Sequence, residues 1–383
     1  MAMLDHWHPV IRSRDVRGAP VGVKLAGREI VLFRDDLGRV GALNDVCCHR
    51  RMRLSKGTVV DGRLQCLYHG WTFDIAGRGE SPATPKLRAC AESFETQEAL
   101  GVIWLKSRGR PVPLPTFDVG GFLPVAVLDS RVKAPLEVVL DNFCETEHTA
   151  TVHQVFGFDP AQMAQVKVHF EETDTAVAVH SSGPPKRIPQ PIRFLIGVRG
   201  GQLFHSSWVT YFSPVWVLID HWWADPATGH EALVRWRVAM FFCPREEGET
   251  VVWTFAYAKS RWPIYPGGGL RPFRWLVRKS LEHELDRDFY LIENLADPSP
   301  ALEGMKLGRF DRPLALNRER IQRIYRGEQV PATDSNAPPG PLESAVARAS
   351  RIDAGPAGAK VHTVRSPRAG RLSVPRKIEH NDP

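Results

Sequence analysis

The sequence predicts an α+β fold, in which an all-β N-terminal domain precedes a domain with an antiparallel β-sheet flanked by helices. Short β-rich runs separated by turns fill residues 20–110. Longer β-rich runs occupy 166–257, and segments with helical spacing of apolar residues precede and follow them, at 136–149 and 271–296. Strands and helices that keep to separate stretches of the chain are typical of α+β proteins.

Length and composition limit the classes of protein to consider. A chain of 383 residues has room for two domains and a tail. With 43% hydrophobic and 24% charged residues, global disorder is excluded. No apolar run reaches the roughly 18 residues of a membrane-spanning helix, and Asp5 interrupts the apolar stretch that a secretion signal needs. The basic residues behind the net charge of +7 are scattered, so we expect neither a membrane nor a nucleic acid as a partner.

The first predicted domain spans residues 1–115. Its β-rich segment at 21–33 is followed by a turn signal at 36–39 and a second β-rich segment at 40–43. Strand and turn signals then continue to the proline-punctuated stretch at 110–116, which is a natural linker. The pattern predicts a small all-β domain.

The second predicted domain spans residues 116–330, and residues 331–383 form a tail. Apolar residues recur at helical spacing before and after the strands of this domain. The β-rich runs between the two helical segments predict a large antiparallel sheet: 166–170, 176–180, 208–212, 215–219, 232–242 and 251–257. The tail is rich in Pro, Ala, Gly, Ser and Arg, and we expect it to be flexible.

Two short segments each combine a cysteine with a histidine. Cys47 and His49 form a C-x-H motif, and Cys66 and His69 form a C-x-x-H motif further along the chain. A structural zinc site uses the same ligands, but the usual zinc finger pairs cysteine with cysteine and histidine with histidine. A Rieske [2Fe–2S] centre needs two thiolates on one iron and two imidazoles on the other, and the alternating order lets each loop give one ligand to each iron. Four unrelated residues are the remaining alternative.

A histidine pair lies at the end of the predicted helix at 136–149. His148 and His153 form an H-x4-H motif, and Asp141 and Glu145 lie upstream on the helix face of His148. On a straight helix five residues turn about 500°, which leaves the two imidazoles about 140° apart. They can bind one metal only if the helix ends or distorts between them, which the intervening β-branched threonines favour. Alone, the pair is a weak signal, and a coincidence on a helix surface is an equal alternative.

The cysteine–histidine segment resembles the Rieske domain of Rieske non-heme iron oxygenases. The resemblance extends to residues 7–10, 31–34, 49–50, 54–57, 68–74 and Gly77. Cys48 departs from the family pattern, because proline is usual at that position. The histidine pair is similar to the family pattern acid-Asn-x-x-Asp-x-x-His-x4-His. The resemblance runs from residue 5 to about 325, and it is to the terminal oxygenase component, or alpha subunit, of such ring-hydroxylating systems.

The resemblance implies ligands for two iron centres. It assigns to the [2Fe–2S] cluster Cys47, His49, Cys66 and His69. It assigns to a mononuclear Fe(II) His148, His153 and Asp288. Two histidines and a carboxylate form the facial triad of non-heme Fe(II) oxygenases. Asp288 is chosen because the family places a Glu five residues after the liganding Asp, and Glu293 fits that offset. Asp286 and Asp297 are the alternatives, and Asn142 falls at the asparagine position of the family's catalytic site.

Glu145 falls at the position of the acid that, in the family, joins the two metal centres across a subunit boundary. Asp is usual there, three residues before the first histidine ligand, so this chain keeps the carboxylate on a longer side chain. The resemblance implies that Glu145 hydrogen-bonds one iron-ligating and one cluster-ligating histidine in the catalytic site. A solvated helix surface is the alternative, and the neighbouring Glu147 is predicted to be surface.

The activity implied by the resemblance is that of a Rieske-type monooxygenase or dioxygenase. Such an enzyme uses O₂ to hydroxylate a small organic substrate, or to demethylate it at O or N. Electrons come from NAD(P)H through a separate ferredoxin and/or flavin reductase, and no G-x-G-x-x-G motif follows a predicted strand of this chain. A head-to-tail homotrimer is also implied. The alternatives are a Rieske electron-transfer protein, a cis-dihydroxylating aromatic-ring dioxygenase and a zinc-binding interaction protein.

The other cysteines, histidines and aromatic residues support weaker predictions. Six cysteines are too few for a disulfide scaffold, and their metal-type spacing indicates a reducing, cytoplasmic location. The remaining histidines have no ligand-like spacing partner and are predicted to be structural or exposed: His6, His8, His169, His180, His205, His221, His230, His283, His362 and His380. The aromatic residues of the sheet are expected mostly in the core, with a few in the substrate pocket: Phe204, Trp208, Tyr211, Phe212, Trp216, Trp222 and Trp223.

Overall fold

The computed structural model describes residues 2–109, 111–261 and 274–328. Within these residues a β-rich N-terminal part precedes a helix-flanked antiparallel sheet, which confirms the predicted α+β fold. The predicted tail at 331–383 lies outside the described residues. No helix in the described part of the chain is both long and apolar enough to cross a membrane.

Short strands form the N-terminal domain. They are β1 His8–Arg12, β2 Val21–Leu25, β3 Arg28–Arg34, β4 Val40–Asn44, β5 Thr58–Val60, β6 Arg63–Gln65, β7 Thr72–Phe73, β8 Arg78–Glu80, β9 Ala89–Cys90, β10 Phe94–Ala99 and β11 Val102–Ser107. Three antiparallel sheets result, in the orders β1-β11-β10, β2-β3-β4 and β5-β6-β7-β8-β9. Between the last two sheets, buried side chains such as Phe33 and Phe73 pack around Cys47 and Cys66.

The turn between β7 and β8 requires glycine. Gly77 has a φ of 83°, which side-chain-bearing residues rarely adopt. A Cβ atom at this position would lie 2.1 Å from the carbonyl oxygen of Ala91, which is closer than any real contact. Gly77 therefore allows the five-stranded sheet to close beside the second cysteine loop.

A single seven-stranded antiparallel sheet dominates the C-terminal domain. Its strands are β12 Leu123–Val132, β13 Lys167–Glu172, β14 Ala176–Gly183, β15 Leu203–Phe212, β16 Val215–Ala224, β17 Val234–Glu246 and β18 Glu249–Ser260. Their order is β12-β18-β17-β16-β15-β14-β13, so consecutive strands from β13 to β18 are hairpin neighbours and β12 closes the edge beside β18. Each of the six β-rich runs that the sequence predicts overlaps one strand of this sheet, with ends that differ by a few residues.

Helices cover one face of this sheet. They are α1 Leu136–Asn142, α2 Thr149–Val152, α3 Gln190–Ile196, α4 Arg274–Glu293 and α5 Arg312–Arg320, and a π-helical turn at Ile321–Tyr325 continues α5. We call the face that packs against α1 and α4 the inner face; Val217, Trp223 and Met240 lie on it. Phe143 and Phe289 meet beneath it, with ring centroids 6.2 Å apart.

The prediction of one continuous helix at 136–149 is wrong, because α1 ends at Asn142 and α2 begins only at Thr149. Between them, the Thr149 hydroxyl donates to the Thr146 carbonyl oxygen at 2.6 Å, and the Thr146 hydroxyl pairs with Ser181 of β14. Such side-chain bonds compete with the hydrogen bonds of a regular helix. The break separates the segment into two helices joined by a tight, partly buried loop.

The N-terminal domain packs against the opposite, outer face of the seven-stranded sheet. Trp104 of β11 meets Phe241 of β17 edge-on at 4.9 Å and lies 6.1 Å from Phe255 of β18. Burying one such side chain stabilises the fold by roughly 1.5–3 kcal/mol. The two domains therefore share one hydrophobic core, which leaves the inner face of the sheet for the helices.

Candidate metal centres

Each cysteine of the first motif starts a tight loop closed by main-chain hydrogen bonds. The Cys47 amide donates to the Met52 carbonyl oxygen at 2.8 Å, and the Cys66 amide donates to that of Trp71 at 2.7 Å. Both cysteine side chains are buried, with 1% and 2% of their surface exposed. The two loops thus present their sulfur atoms from the core side.

The histidines of the same loops lie towards the surface. The His49 and His69 rings are 4.4 Å apart between centroids, and Trp71 stacks on His49 at 4.7 Å, as a packing residue would. Burial raises the pKa of the Cys47 thiol to about 11, and the adjacent Cys66 adds to this shift. Adjacent buried thiols resist ionisation unless a cation joins them, so two thiols beneath two imidazoles suit the donor set of a Rieske cluster.

A second group of donors converges between α2 and α4. One ligand atom each of His148, His153 and Asp288 lie within 4.8 Å of one another. Asp288 Oδ1 is 3.6 Å from His148 Nε2 and 3.4 Å from His153 Nε2. His148 Nε2 and Asp288 Oδ1 are shielded from solvent and have no hydrogen-bond partner among the described residues. Unpaired buried atoms that face one point fit a two-histidine, one-carboxylate metal site.

The end of α2 at Val152 allows the two histidines to converge. His148 immediately precedes α2 and His153 immediately follows it, so a four-residue helix separates them. Their ring centroids are 5.3 Å apart. The sequence requires the helix to end or distort between His148 and His153 if both are to bind one metal, and α2 does end between them, at Val152.

The predicted common helix face of Asp141, Glu145 and His148 does not exist, because α1 has ended before Glu145. Asp141 instead turns towards α5, where its carboxylate accepts hydrogen bonds from both terminal nitrogens of Arg318, at 2.6 and 2.8 Å. This pair fixes the end of α1 beside α5. Asp141 therefore belongs to the scaffold of the site.

Carboxylates hold both histidines of the triad by their Nδ1 atoms. Glu145 Oε1 lies 2.5 Å from His148 Nδ1, and Glu284 Oε2 lies 2.7 Å from His153 Nδ1. A proton kept on Nδ1 leaves the Nε2 lone pair free for a metal. Sequence reasoning missed Glu284, although its position four residues before Asp288 on the same helix is a signal that could have indicated it.

Burial and the neighbouring charges act in opposite directions on the pKa values of this site. Burial raises the pKa of Asp288, while His153, His148 and the Asn142 amide counteract that shift. Burial also lowers the pKa of His148, but Glu145 and Asp288 outweigh it, so the net pKa of His148 is raised. A divalent cation between the three ligands would remove the conflict by favouring a charged carboxylate and neutral imidazoles.

Cationic side chains hold the main chain of α2 from outside the triad. Lys186 Nζ donates to the carbonyl oxygens of Thr149, at 2.9 Å, and of His153. Arg287 of α4 donates to the carbonyl oxygen of Val152 at 2.9 Å. These bonds satisfy carbonyl groups that a short helix leaves without partners.

The alternative ligands lie away from the triad. Asp286 and Asp297 are exposed, and neither takes part in a described group of metal-binding type. Glu147 is exposed, as predicted for a surface residue. Glu293, whose spacing suggested Asp288, accepts a hydrogen bond from the Lys133 amide at 2.9 Å and so holds the end of α4.

Two family models match the chain. Residues 6–95 match the Rieske [2Fe-2S] domain, and residues 132–299 match the vanillate O-demethylase oxygenase C-terminal domain. The first match contains both cysteine–histidine loops, and the second contains the triad with its two supporting carboxylates.

Curated relatives share part of the chain. Chloroplastic protein TIC 55 of Arabidopsis thaliana is 30% identical over 184 residues, or 44% of this chain and 34% of that protein. The 4beta-methylsterol monooxygenase of Methylococcus capsulatus is 33% identical over 165 residues, which are 38% of this chain and 43% of that protein. Methylxanthine N1-demethylase NdmA of Pseudomonas putida is 32% identical over 171 residues, which are 40% of this chain and 48% of that protein. The chain thus spans less than half the length of each of these three relatives.

Solved structures share most of the architecture. Dicamba monooxygenase bound to 3,6-dichlorosalicylic acid superposes with a TM-score of 0.71 over 85% of this chain and 98% of that chain, at 19% identity. NdmA of Pseudomonas putida CBB5 with caffeine superposes with a TM-score of 0.65 over 88% of this chain and 98% of that chain, also at 19% identity. At such low identity the likeness shows that the fold is common to all three.

Proposed function

The chain belongs to the Rieske non-heme iron oxygenases, and on that premise we propose that it is the terminal oxygenase of a Rieske system. It uses O₂ and reductase-supplied electrons to hydroxylate a small organic substrate, or to remove a methyl group from an O or N atom. The observation that carries the proposal is the triad of His148, His153 and the buried Asp288 on the same chain as the Rieske loops. A Rieske electron-transfer protein does not need such a triad.

The residues that hold the two metal groups follow from their donor atoms. We assign Cys47, His49, Cys66 and His69 to the [2Fe–2S] cluster and His148, His153 and Asp288 to Fe(II). When bound, the cluster supplies single electrons and the mononuclear iron supplies open coordination positions for O₂. We also place Asn142 beside this site, because its side chain lowers the pKa of the Asp288 carboxyl and its buried amide nitrogen has no hydrogen-bond partner among the described residues.

The chain's own groups prepare the mononuclear site for its metal. Glu145 and Glu284 hold protons on the Nδ1 atoms of the two histidines and thereby orient both Nε2 atoms towards the Asp288 carboxylate. Asp288 is 2% exposed, so bulk water does not compete for its oxygen atoms. A buried, preoriented donor set favours binding of the metal and limits side reactions with solvent.

Glu145 also supports the proposed head-to-tail homotrimer. Its side chain contacts His148 and is still 13% exposed, so the carboxylate has an edge from which another subunit can be reached. On the Rieske side, Leu67 and Tyr68 beside His69 are 64% and 53% exposed, which suits a surface that a second copy covers. A contact between two different surfaces of one chain closes into a ring when the rotation allows it.

Glu145→Gln tests this assembly proposal. We expect the variant to keep both metal centres and a trimeric mass in analytical ultracentrifugation, while re-oxidation of the pre-reduced cluster slows at least about tenfold. Glu145→Asp, the residue usual in the family, retains most of the rate. An unchanged rate of cluster re-oxidation in Glu145→Gln would contradict the bridging role, and a fully active monomer would contradict the proposed ring.

The type of reaction is inferred from the C-terminal match and from the relatives. Residues 132–299 match a domain of vanillate O-demethylase, which favours monooxygenation and demethylation. Relatives named for hydroxylation of a methylsterol and N-demethylation of a methylxanthine are consistent with this choice. Cis-dihydroxylation of an aromatic ring is the second candidate, because a phthalate 4,5-dioxygenase oxygenase subunit is also a relative.

We infer that the redox partner is a ferredoxin and/or a flavin reductase that oxidises NAD(P)H, and that the protein works in the cytoplasm. None of the six cysteines, all of which lie in the described residues, forms a disulfide, which agrees with a reducing compartment. The partially exposed His69 and exposed His49 leave the cluster loops open to an electron donor.

Product analysis under ¹⁸O₂ tests the function. The holoprotein is supplied with NADH and a surrogate reductase and is offered methoxylated aromatics, sterols and methylxanthines. We expect either a product with one ¹⁸O atom or a demethylated product with formaldehyde. Cis-diols would indicate the second candidate, and a reduced cluster that O₂ re-oxidises without product from any compound would favour an electron carrier.

A further inference from the structure

One histidine stands out on the inner face of the seven-stranded sheet. His221 of β16 pairs in register with Ser206 of β15 and Trp236 of β17, so the three side chains share that face. The inner positions of β14 to β18 follow from the same register: 177, 179, 181 and 183; 204, 206, 208, 210 and 212; 215, 217, 219, 221 and 223; 234, 236, 238, 240 and 242; 250, 252, 254, 256, 258 and 260. His221 is the one titratable side chain among them, and none is Lys, Arg, Asp or Glu.

Aromatic rings enclose His221 beside the metal triad. Its ring centroid lies 5.2 Å from Phe156, 5.3 Å from Phe204 and 5.8 Å from Trp208. Trp208 in turn lies 6.2 Å from the ring of His148, which brings the aromatic group next to the triad. An apolar ring compound that enters here meets aromatic faces on several sides.

The imidazole of His221 has an unused hydrogen-bonding atom. Its Nε2 is shielded from solvent and has no hydrogen-bond partner among the described residues. Burial lowers the pKa of His221 to about 3, and His153 and His148 add to the shift, so the ring is neutral at pH 7. A cation in the triad would act in the same direction. A neutral imidazole offers a bound molecule one donor or one acceptor and no charge.

The surrounding charges disfavour an anionic substrate. The carboxylates of Glu145 and Glu284 lie behind the two histidines at their Nδ1 atoms, and the carboxylate of Asp288 faces their Nε2 atoms. The cations described beside them, Lys186 and Arg287, donate to main-chain carbonyl oxygens of α2 and its flanks. A carboxylate placed against the inner face would lose its hydration without a described basic partner on that face.

We propose that His221 binds and orients the substrate, and that the substrate is an uncharged, largely apolar ring compound with one hydroxyl, carbonyl or amide group. That group pairs with Nε2 of His221, while the aromatic side chains hold the ring beside the triad. His221 is among the histidines that the sequence predicts to be structural or exposed, and it thereby gains a role in specificity. The inference rests on the proposed oxygenase function, because it takes the triad to be the reacting centre.

Binding of three matched probes tests the substrate class. The oxidised holoprotein is titrated by calorimetry, without O₂ turnover, with 4-methoxybenzamide, 4-methoxybenzoate and 4-methylanisole. We expect the amide to bind at least about tenfold more tightly than the benzoate, which carries the charge, and than the anisole, which lacks the hydrogen-bonding group. Equal or tighter binding of the benzoate, or no binding of any probe, overturns the proposal.

Two variants separate a role of His221 in binding from a role in folding. His221→Phe keeps the ring and removes the hydrogen bond, and His169→Phe is the matched control on an exposed position of β13. We expect His221→Phe to raise the Kd of the amide about tenfold and to leave that of the anisole unchanged, with iron content and cluster spectrum as in the wild type. An unchanged Kd for the amide contradicts the proposal, and so does an equal rise for all bound probes.

The outcome is distinguishable from failure of the proposed function. Probe binding is measured without reductase or turnover, so a protein that binds the amide through His221 but yields no oxygenated product refutes the function and keeps the binding role. A productive oxygenase whose probe affinities are insensitive to His221→Phe keeps the function and refutes the binding role.

Discussion

Glu145 and Glu284 act on the two histidines of the triad in the same way from different parts of the chain. Glu145 lies in the loop before α2, whereas Glu284 lies on α4, one turn before Asp288. Each carboxylate engages an Nδ1 atom at 2.5 and 2.7 Å, respectively. At the scale of single residues, the site is thus defined as much by the groups behind the ligands as by the ligands.

Glu284→Gln tests this role directly. An amide can no longer hold the His153 proton as a carboxylate does, so we expect mononuclear iron to bind about 10–100-fold more weakly. Competition with a ferrous chelator measures the change. Glu282→Gln is the control, because Glu282 lies on the same helix and pairs with Arg278 and Lys279 outside the site. Equal iron affinity in the two variants would contradict the assigned role.

His8 makes stability depend on pH independently of the metals. It is 1% exposed, pairs with the Tyr325 hydroxyl at 2.8 Å, and has its pKa lowered to about 3, mainly by burial and also by His6. Between about pH 3 and the unperturbed value near 6.5, the unfolded chain binds one proton that the folded chain does not. Stability therefore rises with pH in this window and is lost on acidification.

His8→Gln is expected to flatten that pH dependence. The slope of the unfolding free energy between pH 6.5 and 4 should fall by up to about 1.4 kcal/mol per pH unit relative to the wild type. Urea denaturation at several pH values measures the slope, and His169→Gln, at an exposed site, should leave it unchanged. A wild-type slope in His8→Gln would show that another group governs acid stability.

At the scale of elements, the four-residue helix α2 sets the geometry of the triad. A helix this short is not stable by itself. Lys186 and Arg287 bind three of the carbonyl oxygens at α2 and its C-terminal end. The geometry of the proposed metal site thus depends on side chains outside the triad.

Lys186→Met removes the charge and the donor but keeps much of the apolar side chain. We expect about 1–3 kcal/mol lower stability, because two carbonyl oxygens lose their partner, and loss of mononuclear iron without loss of the cluster spectrum. Thermal unfolding and iron analysis measure both effects. Lys167→Met, on an exposed position of β13, is the control. Full iron content in Lys186→Met would mean that α2 holds its position without Lys186.

The elements also show how far sequence reasoning reaches. Strands β14 to β18 could be predicted because β-rich runs and turns are local signals. The break between α1 and α2 could not, since it depends on contacts such as that of Thr146 with Ser181 on a distant strand. The ligand positions could be proposed from motif spacing, whereas Glu284 and His221 become significant only when the fold brings them next to the triad.

At the scale of the whole molecule, the seven-stranded sheet separates two functions. Its outer face shares a core with the Rieske domain through Trp104, Phe241 and Phe255. Its inner face supports the helices that carry the triad. Electrons that enter at the cluster loops must therefore reach a site on the other side of the sheet, which is the physical reason for the proposed ring of subunits.

The number of irons and acid-labile sulfides per chain tests the central claim, that one chain holds two iron centres of different kinds. The account predicts about three irons and about two sulfides in the wild type, and about two of each with an unchanged visible spectrum in Asp288→Ala. Asp286→Ala, on the exposed side of α4, should match the wild type. Three irons retained in Asp288→Ala, or a wild type without sulfide, would contradict the account.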